Sequence, residues 1–310
     1  LFLKLFRLKK MFKLKKETTG IFFIFLASIL WGGFAVFVNK GSRIISPLTF
    51  AAISTLLASF PSLFFLIKNK KYPELKNRKN YFNLLMVTIC IVIIPYSLFF
   101  IGASKTSGAN TSILLLSEII FTLIITPFFG EKNNLKKILG AGGIFLGALI
   151  ILYNGTLKFN PGDILIILST LTYPFGNLYA KKALNISSAS TILFVRFLLG
   201  GLFISLLAFV FENPLDQIDQ IFINWPTLLT NGLIALGLSK IFWYKGFKTM
   251  DITKSISIGK TSPLFSLIIL IIFFGEVLST YQIIGIIIMF IGVYFTVTRK
   301  STDPKLTLYA

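Results

Sequence analysis

Ten long apolar stretches divide this chain, and they constrain its fold more than any other feature of the sequence. Each is close to the roughly 20 residues that a helix needs to cross a hydrocarbon core of about 30 Å. The stretches are Ile21–Val38, Pro47–Ile67, Tyr81–Ile101, Ala109–Phe129, Leu135–Leu152, Gly162–Ala180, Ser188–Phe211, Trp225–Tyr244, Ser255–Phe274 and Tyr281–Thr298. With 55% hydrophobic and only 14% charged residues, the pattern predicts an all-α integral membrane protein with ten transmembrane helices.

The basic residues predict how these helices are oriented. If the N-terminus lies in the cytoplasm, the segments on that side hold 24 Lys and Arg, against four on the opposite side. Cytoplasmic loops of membrane proteins carry such an excess. We therefore expect both termini to be cytoplasmic, in a plasma membrane of the bacterial inner-membrane type. The net charge of +20 is then a feature of membrane topology and does not indicate nucleic-acid binding.

Two short basic segments flank the apolar region. Residues 1–20 hold seven basic residues and are predicted to be a cytoplasmic N-terminal segment, and residues 299–310 are predicted to be a cytoplasmic tail. The first apolar stretch has full spanning length and no small-residue cleavage site after it, so a retained helix is favoured over a signal peptide. Met11 is an alternative start of the chain.

An internal echo predicts two repeats, over residues 21–152 and 162–298. Four residues of the first half recur 145 positions later: Gly130, Glu131, Gly140 and Gly147 become Gly275, Glu276, Gly285 and Gly292. A weaker match at a shift of 141 relates Ser28, Phe34 and Lys40 to Ser169, Phe175 and Lys181. Because each repeat holds five helices, an odd number, the second repeat must be inverted. Inverted repeats are typical of alternating-access transporters.

These features resemble the EamA-type members of the drug/metabolite transporter superfamily over about residues 19–298. The resemblance rests on Leu30-Trp31-Gly32, on Phe129-Gly130-Glu131 and Phe274-Gly275-Glu276, and on Ser107–Ser112. It implies ten helices around a cavity lined mainly by helices 1, 3, 4, 6, 8 and 9, with helices 5 and 10 at the periphery. It also implies transport of small organic solutes, often amino acids. Many relatives carry Arg in helix 2, where this chain has Ser54.

Four ionisable residues lie within the predicted spans: Glu118, Arg196, Lys240 and Lys260. A charge near mid-bilayer costs about 3 kcal/mol, so these side chains should face protein or water. Lining a cavity, they would attract an anion, and a zwitterionic amino acid would suit Arg196 through its carboxylate and Glu118 through its amine. The alternatives are an ion pair of Glu118 with Arg196 or a lysine, and lysines that reach the membrane interface.

Aromatic residues complete the predicted substrate site. Trp31 is mid-span, and Tyr96 and Tyr173 lie next to Pro95 and Pro174, where a missing backbone hydrogen bond opens a helix. We therefore assign Trp31, Tyr96 and Tyr173 to the cavity with the four ionisable residues. Trp225 and Trp243 lie near span ends, where an aromatic belt at the interface is favoured.

Small residues on helices 5 and 10 predict a close helix contact. Gly140, Gly143 and Gly147 share helix 5, and Gly285 and Gly292 share helix 10. Such residues let two backbones approach. Packing inside one chain is favoured, and a homodimer is the alternative.

The residues do not favour an enzyme or a cofactor protein. The chain has no His, one Cys (Cys90) and no nucleotide-binding loop. We expect no cofactor and no metal, and a proton gradient or solute exchange as the energy source. A membrane-embedded transferase acting on lipid, and a channel or scaffold, are the alternative functions.

Overall fold

A computed structural model describes residues 2–130, 135–153, 160–250, 252–259, 261–275 and 277–297. Within these ranges the chain is helical and contains no strand.

Five helices make up the first half of the chain. They are α1 (Phe2–Gly41), α2 (Pro47–Lys68), α3 (Arg78–Ser104), α4 (Gly108–Phe129) and α5 (Leu135–Tyr153). A 3-10 turn at Tyr72–Lys76 links α2 to α3, and α3 widens into a π-helical turn at Ile89–Ile93. The residues of the predicted cytoplasmic segment 1–20 are helical from Phe2 onward and continue into the first apolar stretch as part of α1.

The second half contains more, and shorter, helices. They are α6 (Pro161–Thr170), α7 (Tyr173–Leu184), α8 (Ala189–Phe211), α9 (Pro214–Ile223), α10 (Trp225–Phe247), α11 (Ile252–Gly259), α12 (Ser262–Phe274) and α13 (Thr280–Val297). A π-helical stretch, Thr230–Leu238, occupies the middle of α10.

Two predicted spans are broken rather than continuous. The sixth divides into α6 and α7, and the ninth divides into α11 and α12. Pro174 and Pro263 each fall in the first turn after the break. Proline lacks a backbone N–H, so it is tolerated in the first turn of a helix and interrupts a longer one.

Several helices are suited to cross a membrane. Five described helices are long and apolar enough, and α9 with α10 makes a sixth if that pair, bent by 92°, is one span. Their outward faces carry large apolar side chains, such as Phe22, Phe64 and Phe209, each more than half exposed. Exposed apolar surface on this scale fits lipid as the surrounding solvent. The chain is therefore an integral membrane protein, while ten membrane crossings stay a prediction.

Helices of the first half pack extensively against helices of the second half. These pairs include α2 with α8 and α10, α5 with α13, α1 with α10 and α12, and α3 with α6 and α7. A large buried core runs through both halves, and a small second cluster contains Ile24, Met250 and Ile258. The central helices α1, α3, α4, α7, α8 and α10 to α12 leave a cavity between them.

Candidate functional site

The cavity contains most of the polar side chains predicted from the sequence. The cavity, including its open mouth, has an empty volume of about 710 Å³. Its polar and aromatic lining residues are Ser28, Trp31, Tyr96, Glu118, Tyr173, Asn177, Arg196, Ser239, Lys240, Trp243, Tyr244 and Ser262. The structure thus brings together Trp31, Tyr96, Glu118, Tyr173, Arg196 and Lys240, and the predicted Lys260 lies outside the described residues.

Arg196 is the most deeply buried charge of the cavity. It lies on α8 with 1% of its surface exposed. Its Nη1 donates a hydrogen bond of 2.9 Å to the Tyr244 hydroxyl, and its guanidinium carbon lies 4.6 Å from the centre of the Phe197 ring. Among the described residues, Nε and Nη2 have no hydrogen-bond partner, and neither has the Tyr96 hydroxyl. An unpaired buried polar group costs about 1–3 kcal/mol, so these donors favour binding of a polar group that enters the cavity.

Lys240 lies against aromatic rings in the cavity. Its Nζ is 3.2 Å from the centre of the Trp31 ring and 5.4 Å from that of Trp243. An ammonium over an indole face is stabilised by the ring's negative charge distribution, by about 2 kcal/mol when desolvated. The two tryptophans therefore hold the ammonium within the bundle.

Glu118 is the acidic residue of the cavity. It follows a short 3-10 turn, Leu115–Ser117, and its Oε1 accepts a hydrogen bond of 3.1 Å from Asn177 on α7. One residue earlier, the Ser117 hydroxyl lies 2.8 Å from the Thr170 hydroxyl at the end of α6. These contacts tie the irregular turn of α4 to the break between α6 and α7.

Irregular backbone positions the two tyrosines. Tyr96 is the third residue after the π-helical turn of α3, and Tyr173 is the first residue of α7. The Cys90 carbonyl in the π-helical turn accepts a hydrogen bond of 2.9 Å from the Thr172 hydroxyl in the α6–α7 break. π-helical turns are frequent at functional sites, and this one joins the break to the cavity wall.

Four phenylalanines close the cavity toward one end of the bundle. Phe34, Phe50, Phe99 and Phe100 are fully buried, and the Phe34 ring stacks on Phe99 at 5.3 Å and on Trp31 at 4.1 Å. Along α1 and α3, these rings come between the cavity residues and the loop that contains Arg43. We call this end of the bundle the Arg43 end and the opposite one the Glu74 end.

Hydrogen bonds to helix ends hold both ends of the bundle. At the Arg43 end, Asn39 Nδ2 donates to the carbonyls of Ala103 and Thr106 at 2.6 and 2.9 Å, and Arg43 donates to Thr106 as well. At the Glu74 end, Lys181 donates to the carbonyls of Phe247 and Met250. The two carbonyl pairs are related by a shift of 144 positions in the sequence.

Glutamates cap two helices in a reciprocal way. Glu212, just after α8, accepts hydrogen bonds from the backbone N–H groups of Leu48 and Thr49 at the start of α2. Glu74, after α2, accepts from the Ser188 N–H at the start of α8 and from the Thr191 hydroxyl. Carboxylates are stabilising at helix N-termini, so each cap fixes one end of the α2–α8 pair.

The glycine positions of α5 and α13 form a contact within the chain. A methyl group at Gly147 would lie 2.6 Å from the Gly285 carbonyl oxygen, and one at Gly292 would lie 2.5 Å from that of Gly140. The contact therefore involves Gly140 and Gly147 of the first repeat and their counterparts Gly285 and Gly292 of the second. Internal packing, which the sequence favoured, is what the structure shows for this seam.

Six of the polar and aromatic lining residues were not in the predicted site: Ser28, Asn177, Ser239, Trp243, Tyr244 and Ser262. Trp243 was expected at the membrane interface, but it is half-buried and lines the cavity with Tyr244. The predicted span ended at Tyr244, whereas α10 continues to Phe247, which places both residues inside the bundle. Asn177 gave no signal except its position one helical turn after Tyr173.

A helical membrane protein with a charged, aromatic-lined cavity belongs to the class of solute transporters. The sequence matches the EamA-like transporter family twice, over residues 18–153 and 160–298. The chain therefore belongs to this family, and it is a transporter rather than an enzyme.

Individual relatives agree with this assignment. An uncharacterised transporter of Archaeoglobus fulgidus is 25% identical over 89% of this chain and 96% of its own length. A probable amino-acid metabolite efflux pump of Salmonella typhimurium is 23% identical over 89% of this chain and 94% of its own length. A solved crystal structure superposes with a TM-score of 0.70 at 14% identity, covering 90% of this chain and 96% of the other; this likeness concerns the fold alone.

Proposed function

We propose that the chain is a secondary transporter of small organic metabolites that works by alternating access. One observation carries the proposal: Arg196, Lys240 and Glu118 meet in one cavity inside a bundle of apolar helices. Charges are expensive in a membrane unless they face protein, water or a ligand. A solute pathway accounts for keeping three of them there.

Two inverted repeats of five spans, with both termini in the cytoplasm, are part of the proposal. The family matches the chain twice, in segments of similar length. Gly147 lies close to Gly285, and Gly292 lies close to Gly140. A two-fold axis that exchanges the repeats would turn each of these contacts into the other. Asn39 at one end of the bundle and Lys181 at the other donate hydrogen bonds to backbone carbonyls that are 144 positions apart in the sequence. This spacing supports the same two-fold relation. The excess of basic residues in the loops supports a cytoplasmic location of the Glu74 end, in a plasma membrane.

The cargo proposed is an amino acid or a related solute that bears a carboxylate. Arg196 and Lys240 against Glu118 leave the described part of the cavity with a formal surplus of one positive charge. A positive cavity with apolar walls concentrates anions. Relatives of this chain include the probable amino-acid metabolite efflux pump of Salmonella typhimurium, which supports this class.

Uptake into proteoliposomes tests the proposal. The purified chain is reconstituted, and uptake of a radiolabelled mixture of L-amino acids is measured with and without a proton gradient, and with internal unlabelled amino acids. A carrier gives saturable uptake that internal solute accelerates, and the two conditions separate proton coupling from exchange. Linear uptake without acceleration would favour a channel and contradict the proposal.

Two variants connect transport to the cavity. Arg196→Ala and Glu118→Gln each remove one charge and should lower uptake at least tenfold, because a hydrogen bond to a charged group contributes about 1.5–3 kcal/mol. Lys248→Gln, an exposed position outside the cavity, is the matched control and should keep normal uptake. Unchanged transport in both cavity variants, at normal expression, rules out this site.

A further inference from the structure

The geometry points to one preformed subsite: the Nε–Nη2 edge of Arg196 and the Tyr96 hydroxyl bind a carboxylate of the transported solute. This inference rests on the proposed transport function and names the atoms that recognise the cargo. Nothing in the comparisons assigns these atoms a ligand.

The unpartnered atoms of the cavity carry the argument. Arg196 and Tyr96 each expose 1% of their surface, and both line the cavity. Arg196 Nε and Nη2 and Tyr96 Oη have no hydrogen-bond partner among the described residues. Tyr96 on α3 and Arg196 on α8 line the same cavity. All three atoms can donate a hydrogen bond, so the group that completes the site is an acceptor.

The two unpartnered N–H groups of the Arg196 guanidinium, at Nε and Nη2, determine which shape of acceptor fits. Nη1 is engaged by the Tyr244 hydroxyl at 2.9 Å. The remaining Nε–H and Nη2–H bonds lie side by side in the guanidinium plane. Two parallel donors match the two oxygens of a carboxylate in a bidentate pair. Tyr244 is therefore a positioning residue, since it fixes the plane and leaves the correct edge open.

The charge of the cavity favours a carboxylate over a phosphate. Glu118 lines the same cavity, and its negative charge repels a dianion more strongly than a monoanion. One carboxylate balances the surplus positive charge of the described cavity residues. An α-amino group on the same solute would then find Glu118 as its acceptor.

Thermal unfolding of the purified protein in detergent tests the subsite. The probes are the 20 L-amino acids, the α-carboxamide of each, and inorganic phosphate. A ligand that binds only the folded state raises the Tm, and at a fixed concentration the rise grows with the logarithm of its affinity. At least one amino acid should raise the Tm, and its carboxamide should bind at least tenfold more weakly. Equal stabilisation by acid and amide, no stabilisation by any acid, or a larger shift with phosphate overturns the inference.

Three variants locate the effect on the named atoms. Arg196→Lys keeps the charge but loses the two-donor edge, and it should weaken binding of the acid at least tenfold while the amide changes little. Tyr96→Phe and Tyr244→Phe should each lower the acid-to-amide affinity ratio by about threefold to tenfold. Tyr179→Phe, a half-buried tyrosine outside the cavity, is the control and should keep the ratio. A ratio that survives Arg196→Lys assigns the carboxylate elsewhere and overturns the subsite.

Counterflow of the stabilising amino acid separates the two proposals. Binding with the predicted acid-to-amide ratio but without counterflow keeps the subsite and contradicts transport. Counterflow that is equal for acid and amide, and unaffected by Arg196→Lys, keeps transport and contradicts the subsite.

Discussion

Gly130 and Gly275 show how single residues set where the helices end. They have positive φ angles of 91° and 64° and terminate α4 and α12. This left-handed conformation is accessible to glycine and strained for residues with a Cβ. Apart from the chain neighbours and the helix's own backbone, no atom of the described residues lies within 4 Å of a Cβ added at either position. The repeated Phe-Gly-Glu motif therefore has a conformational reason at its glycine, and not a packing reason.

Gly130→Ala and Gly275→Ala should each lower the free energy of unfolding by about 1–2 kcal/mol, the cost of a left-handed conformation for a residue with a Cβ. The measurement is thermal unfolding of the purified protein in detergent. Gly142→Ala is the control, because Gly142 on α5 also has open space around its Cβ position but lacks a positive φ. The control should be neutral or stabilising by about 0.5–1 kcal/mol, and equal losses at all three sites would contradict the explanation.

At the scale of elements, the α2–α8 pair depends on polar contacts at its ends. The Glu74 carboxylate accepts hydrogen bonds from Ser188 N at 2.6 Å and Thr191 Oγ1 at 2.7 Å, and it pairs with Lys71 at 3.4 Å. Partial burial raises the pKa of Glu74, but the hydrogen bonds from Ser188 and Thr191 and the contact with Lys71 lower it, and the net pKa lies below the usual 4.5. The charged form is therefore the one that stabilises the fold.

Stability should depend on pH through this cap. Because the pKa of Glu74 is lower in the folded state, its contribution is complete above about pH 4.5 and is lost as the pH falls through the folded-state value. Glu74→Gln should cost about 1 kcal/mol at pH 7, the typical worth of a helix N-cap, and the difference from the wild type should shrink under acid. Unfolding measured from pH 7 to pH 3 checks this. Asp219→Asn, at an exposed position, should show no such convergence.

At the scale of the whole molecule, the two ends of the bundle are chemically unequal. At the Arg43 end, an amide and an arginine donate to carbonyls at and just after the end of α3, whereas at the Glu74 end a lysine donates to carbonyls at and just after the end of α10. The buried Phe34, Phe50, Phe99 and Phe100 lie toward the Arg43 end, and the buried Phe247 lies toward the Glu74 end. We therefore expect separate contacts to hold the two ends of the bundle.

Removing the hydrogen bonds at one end of the bundle should increase access to the cavity from that end. In a Cys90→Ala background, Ser262→Cys provides a thiol on the cavity wall. Lys181→Met should speed its labelling by a membrane-impermeant thiol reagent added at the Glu74 end. Asn39→Ala should speed labelling from the Arg43 end, because the carbonyls of Ala103 and Thr106 lose their donor.

The labelling rate is measured in sealed vesicles of both orientations, so that the reagent reaches either the Glu74 end or the Arg43 end. Tyr179→Phe serves as the control. Acceleration from the same side by both variants would contradict a two-ended gate.

The amino-acid sequence by itself determined the membrane class, the helical character of the apolar stretches and six of the residues that line the cavity. Apolar length and charge are local properties: a charge such as Arg196 within a span must find protein or water wherever the helix packs. Trp31, Tyr96, Glu118, Tyr173 and Lys240 were predicted for the cavity in the same way and do line it. The glycines that recur on predicted helices 5 and 10 likewise predicted a close helix contact, which the structure shows between α5 and α13.

Only the tertiary structure decided how these groups meet. That Tyr244 occupies one edge of Arg196, that Lys240 lies on Trp31, and that Trp243 and Asn177 line the cavity depend on helix rotation and on where α10 ends. The π-helical turns and the breaks before Pro174 and Pro263 change those rotations by fractions of a turn. Distances between side chains of different helices follow from packing, which hydropathy and spacing do not encode.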